Sequence, residues 1–181
     1  KNKLKGTSIE PYSEFVHFGL TSQDINNTAV PFSMQLGIDE VIIPTIKDIL
    51  EKITAFGDEW KNIPLLSRTH GQAATPTTVG KEFAVFAERL RIQLETLINT
   101  PMSAKFGGAT GAFNAHRLAF PEVNWPEFGN QLVNDLGLVR SYPTTQIDHY
   151  DQLAAVFDAL RRINVILMDF AKDIWQYISM D

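Results

Sequence analysis

Cysteine is absent from the chain. That excludes a disulfide framework and thiol chemistry, and it fits a reducing cytoplasm, which is the expected location. Long apolar runs are missing as well: no window approaches the roughly 18 uninterrupted apolar residues of a membrane span, and the opening KNKLKGTSIEPYSEF lacks the apolar core of a signal peptide. Membrane insertion and secretion therefore have no support. Basic excess is lacking too, because 16 Lys and Arg face 21 Asp and Glu for a net charge of −5, and no basic stripe is visible. This argues against a general nucleic-acid binder, and any anionic ligand must be held by local groups. Strand-like alternation is nearly absent.

What is present is helical periodicity. Ile42, Ile46, Ile49, Ile53, Phe56 and Trp60 step by alternating fours and threes, which sets them on one stripe of a helix, with Pro44 tolerable in its first turn. Phe83, Ala87, Leu90, Leu94 and Leu97 repeat the pattern. An earlier helix is expected to open near Ser22 or Asp24 and close before Gly37, kinked or shifted by Pro31. A shorter one should run from Asn124 to Leu136. The last should begin near Asp148 and continue to the end, apolar almost all round between Ile163 and Met168. With 181 residues and 44% hydrophobic content, the expected fold class is all-α, a bundle of long helices forming a single domain over 1–181. The chain starts at Lys1 rather than methionine and stops inside a continuing helical pattern, so a fragment of a larger protein is expected.

Three polar loops interrupt this background. In HFGLTSQDINNTA, Thr21, Ser22 and Asp24 sit where a helix begins, which suits both simple capping and a carboxylate or phosphate site built on free N–H groups. In LLSRTHGQAATPTTVG, Pro64, Gly71 and Pro76 could merely separate two helices. Yet the loop also crowds Arg68, Thr69, His70, Gln72 and three threonines together, and histidine is the side chain best suited to proton transfer near neutral pH. In KFGGATGAFNAH the glycines fit a helix-ending turn better than a phosphate loop, since no GxxxxGK[ST] is present and a helix, not a strand, precedes them. A weaker polar cluster, YPTTQIDHYD, precedes the last helix, where Asp148 could act as a cap. His17, His70, His116 and His149 are never four apart and no HExxH accompanies them, so no metal is expected; nor does a GxSxG elbow support a serine hydrolase.

Taken in order, TSQDINN, SRTHGQAATPTTVGKE, KFGGATGAFNAH and YPTTQID resemble the adenylosuccinate lyase family of the fumarase/aspartase superfamily, over nearly the whole chain from about His17. The resemblance implies a fumarase/aspartase-type bundle, a homotetramer with active sites built from three subunits, and β-elimination of fumarate from a small-molecule nucleotide with no cofactor. It makes His70 the general acid. It makes Thr21 and Ser22 carboxylate-binding hydroxyls, Thr69 a substrate contact, His17 a histidine near the substrate, Gln146 a substrate-binding glutamine and Asn114 a further candidate. The family's amino-terminal domain and its signature loop, a glycine-serine-serine segment leading to Met-Pro-x-Lys that carries the serine base, do not occur in these residues. Alternatives are another lyase of the superfamily, or a helical assembly module without chemistry.

Overall fold

Six α-helices carry most of residues 1–180, the part that the computed structural model describes. The chain is mostly helical, as its periodicity predicts, with four short strands among the described residues. It divides into two units: Lys1–Gln35 with Pro101–Leu153, and Leu36–Thr100 with the chain from Ala154 onward.

The second unit holds the regular helices. In α3 (Val79–Asn99) the five residues of the predicted stripe, Phe83, Ala87, Leu90, Leu94 and Leu97, are all buried, and the Thr78 hydroxyl caps the first turn by accepting the Lys81 N–H. Its antiparallel neighbour α2 (Ile43–Glu59) carries Pro44 in its first turn and buries Ile46 and Ile53. Phe56 stacks on Trp60, and Trp60 meets the edge of Phe83, which in turn meets Phe170. At Gly80 an added Cβ would lie 2.2 Å from the Gly57 carbonyl, so only glycine allows these backbones to approach so closely. The last helix, α6 (Asp151–Met180), buries Val156, Ala159, Ile163 and Ile166. Between Ile163 and Met168 it is not enclosed all round, since Val165 is 49% and Met168 71% exposed.

Between α2 and α3 the expected loop is instead an antiparallel hairpin, β1 (Pro64–Thr69) and β2 (Gln72–Thr78), with an irregularity between Leu66 and Arg68. Backbone pairing, rather than an apolar face, builds it. The segment therefore satisfies its main-chain groups without the alternation that marks a strand in sequence.

The first unit starts with 3₁₀ turns at Asn2–Leu4 and Glu10–His17 and continues into α1 (Ser22–Gly37). Pro31 does not end α1. A π-helical turn over Ile38–Ile42 follows instead, leading into α2. The Asn27 carbonyl, which Pro31 cannot reach with an N–H, accepts the Lys105 N–H at 3.1 Å. Ser103–Ala104 (β3) pairs in parallel with Val139–Arg140 (β4). The remaining helices are α4 (Asn114–Ala119) and α5 (Trp125–Asn134), the latter capped by Asn124 as its sequence predicts.

Candidate functional site

Four of the substrate-binding candidates lie around one end of α1. The 3₁₀ turn ends at exposed His17, Gly19 turns the chain with a positive φ, and Thr21 precedes the helix with exposed Ser22 as its first residue. From the far end of the sequence, Gln146 Nε2 donates to Thr21 Oγ1 at 3.2 Å. Thus Thr21, Ser22 and Gln146 meet at a helix N-terminus, where unpaired N–H groups and the helix dipole favour an anion. The glycine loop packs against the Gln146 segment, because a Cβ on Gly111 would lie 2.2 Å from the Thr144 carbonyl. Asn114 leaves that loop as the exposed first residue of α4, after Phe113 in a left-handed conformation.

Beneath this exposed rim lies a charged core where local rules predict only a cap and a turn. Asp24 and Lys105 are both fully buried and paired at 2.7 Å. Asp24 Oδ1 also accepts the Gly107 and Gly108 N–H groups at 2.9 and 3.1 Å, while its Oδ2 accepts the Thr21 N–H at 2.8 Å. Burial works to raise the Asp24 pKa, but the hydrogen bonds from Lys105, Thr21 and Gly107, with the Lys105 charge, outweigh it and hold the carboxyl below its ordinary value. Asp24 is therefore an anion that accepts four hydrogen bonds, three at Oδ1 and one at Oδ2. The signal for it lies in Lys105, a cation placed two residues before a glycine pair.

His116 is the second buried group. Its ring lies against Phe18, Phe106, Phe113 and Trp125 and under the Gly19 backbone, and its Nδ1 has no hydrogen-bond partner. Burial lowers its pKa, with Asp24 pulling upward and Lys105 downward, so the imidazole is held neutral. It supports the turn that feeds Thr21.

The remaining two candidates belong to the second unit. His70 and Gly71 form the two-residue connection of the hairpin, with φ of 52° and 76°, and Thr69 pairs with Gln72 directly below. Positive φ at both central residues is the requirement of a type I′ turn, whose twist matches that of the strands. Histidine is among the few side chains that enter this region with any frequency. His70 and Thr69 are exposed at the tip. The imidazole is thus presented outward on a paired backbone rather than on a loose loop.

Comparison with known proteins adds the following. The sequence profile of the family described as "Lyase" matches residues 3–181. The chain is 53% identical over 176 residues to an adenylosuccinate lyase of Dictyostelium discoideum, covering 95% of this chain and 38% of that protein. It is 44% identical over 182 residues to the adenylosuccinate lyase of Haemophilus influenzae, with 100% and 40% covered, and 43% identical over 173 residues to that of Escherichia coli, with 96% and 38% covered. The chain spans about two fifths of the length of these relatives.

Proposed function

The chain belongs to the lyase family, and from that premise we propose that it is the central helical part of an adenylosuccinate lyase acting in the cytoplasm as a homotetramer. The reaction is elimination of fumarate from adenylosuccinate to leave AMP, and the parallel elimination from the succinylated imidazole-carboxamide nucleotide of purine synthesis. A base takes the proton from the carbon beside a succinyl carboxylate. The electron pair left behind becomes the double bond of fumarate as the carbon–nitrogen bond breaks, and an acid protonates the departing nitrogen. His70 is that acid. Thr21, Ser22 and Gln146 hold succinyl carboxylate oxygens, Thr69 contacts the substrate beside the acid, and His17 and Asn114 face the rest of the nucleotide. The base comes from residues outside this chain.

The observation that carries this reading is the Gln146–Thr21 hydrogen bond, which joins candidates 125 residues apart at a helix N-terminus suited to an anion. Two further features support it. An acid exposed at a hairpin tip fits a site completed by another subunit. The exposed apolar side chains of α6, among them Phe157, Met168, Trp175 and Ile178, fit the helix packing of an oligomer. No helix among the described residues is long and apolar enough to cross a membrane.

The test is turnover by the full-length protein, followed through the absorbance change as adenylosuccinate becomes AMP and fumarate. Turnover of adenylosuccinate, with none of argininosuccinate or malate, is the expected result. Activity on either of those alone moves the chain to another lyase of the superfamily, and inertness toward all three favours an assembly module.

A further inference from the structure

We propose that the buried polar face of α1, formed by Asp24 with Lys105 and by Asn27, is a positioning device for the substrate-binding residues Thr21 and Gln146. The proposal rests on the lyase reading above. The buried residues of α1 are Asp24, Asn27 and Pro31, spaced by three and four along one face, where a helix in a protein core ordinarily presents aliphatic side chains. A buried ion pair seldom stabilises a fold more than a well-packed apolar pair would, because desolvation offsets the attraction. What it supplies is a fixed geometry.

Here that geometry converges on the rim of the site. The two oxygens of Asp24 divide their work: Oδ2 takes the Thr21 N–H, and Oδ1 takes Lys105 Nζ and the two glycine N–H groups. Lys105 Nζ also donates to the Gly108 carbonyl. Thr21 is thereby fixed relative to the glycine loop. One turn on, Asn27 Oδ1 accepts the Asp148 N–H at 2.9 Å and its Nδ2 donates to the Tyr150 hydroxyl at 2.7 Å, which ties down the segment two residues beyond Gln146. The Asn27 carbonyl, released by Pro31, holds Lys105 by its N–H. Asp24 and Asn27 are 1% and 5% exposed, so neither reaches a ligand; both act through Thr21 and Gln146.

The test uses the full-length enzyme with three variants, Asp24→Asn, Lys105→Met and the double variant, measured for thermal midpoint and for kcat and KM with adenylosuccinate. In Asp24→Asn the amide cannot accept at both ends, so either Thr21 or the loop loses its partner, and Lys105 is left as an unpaired buried cation. The double variant removes that cation, and its thermal midpoint should recover toward wild type. Its KM should stay raised by roughly tenfold, with a smaller fall in kcat, because either the Thr21 N–H or the glycine loop remains unheld and a misplaced contact costs up to about 100-fold in kcat/KM. If Asp24→Asn does not fold, Lys105→Met carries the test: it removes the Nζ bridge between Asp24 and the Gly108 carbonyl, which loosens the glycine loop relative to Thr21, and KM rises several-fold. A folded double variant or Lys105→Met with KM within about twofold of wild type overturns the proposal and leaves the lyase reading standing. A wild-type protein that does not turn over adenylosuccinate overturns both.

Discussion

Gly19 is where a single methyl group tests the foundation of the candidate site. Its φ is +65°, and a Cβ there would lie 2.4 to 2.7 Å from three atoms of the His116 ring. The ring has no obvious room to retreat, being packed by Phe18, Phe106, Phe113 and Trp125. Gly19→Ala should therefore cost about 1 kcal/mol for the left-handed backbone and a further 1–3 kcal/mol for overpacking, or roughly 2–4 kcal/mol in all. His116→Ala deletes a buried aromatic ring and should cost roughly 2–3 kcal/mol by cavity formation. In the double variant the methyl group enters the space the ring vacated, so only the backbone strain adds to the cavity. The double variant should be about 1–3 kcal/mol more stable than the sum of the single variants, a coupling that a double-mutant cycle in chemical denaturation reads directly. Gly6→Ala is the control, since Gly6 has φ of +77° and nothing within 4 Å of a new Cβ. It should show the strain alone. Additive losses at Gly19 and His116, or equal losses for Gly19→Ala and Gly6→Ala, would refute the claim that the ring braces this turn.

His70→Ala in the full-length enzyme should lower kcat about 10²- to 10⁴-fold with a much smaller change in KM, as loss of an acid acting in the transition state requires; a near-normal kcat would move the role elsewhere. Ser22→Ala should impair KM and kcat together, because the carboxylate contact proposed for it acts before and during reaction, and an unchanged KM would remove Ser22 from the site. His116 gives a pH signature: its folded pKa lies below the ordinary value of 6.5, so the unfolded chain binds the proton first and stability falls as pH drops below that value. His116→Phe should flatten this part of the stability profile, and an unaltered slope would count against a buried neutral imidazole. Met168→Glu, at a site 71% exposed on α6, should reduce the oligomer mass measured by light scattering, whereas Glu95→Gln should not.

Legibility in the sequence followed the physics of each element. The α3 stripe was readable, all five of its residues being buried with only Gly80 and Phe86 added, because one side of that helix meets the interior and the spacing of its apolar residues records it. The hairpin was not, since its side chains are mostly exposed and no alternation marks the strands. Its turn is His70–Gly71 rather than the Asn-Gly or Asp-Gly that signals a hairpin. The stretch from Ile163 to Met168 reads as enclosed on all sides because apolar periodicity counts burial against any partner, including other chains. Within this chain only Ile163 and Ile166 of that stretch are fully covered.

For the site, the local reading stopped at the distance over which local rules operate. Asp24 three residues after Thr21 is visible as a capping residue, and it does accept the Thr21 N–H. Its second oxygen serves a lysine 81 positions away, and no spacing rule connects the two. The glycines after Lys105 read locally as a helix-ending turn and nothing marks the lysine itself, whereas burial makes its partner a requirement: a cation with no exposed surface needs an anion, and Asp24, equally buried, is in contact. The same holds for Asn27, whose amide spans to Asp148 and Tyr150, and whose carbonyl is available to Lys105 only because Pro31 follows four residues later. A proline in a helix, a lysine near a glycine turn and an aspartate near a helix start each have ordinary local explanations. Their joint explanation is a set of buried polar contacts that fixes the start of α1 against the Gln146 segment, and tertiary structure was needed to see it.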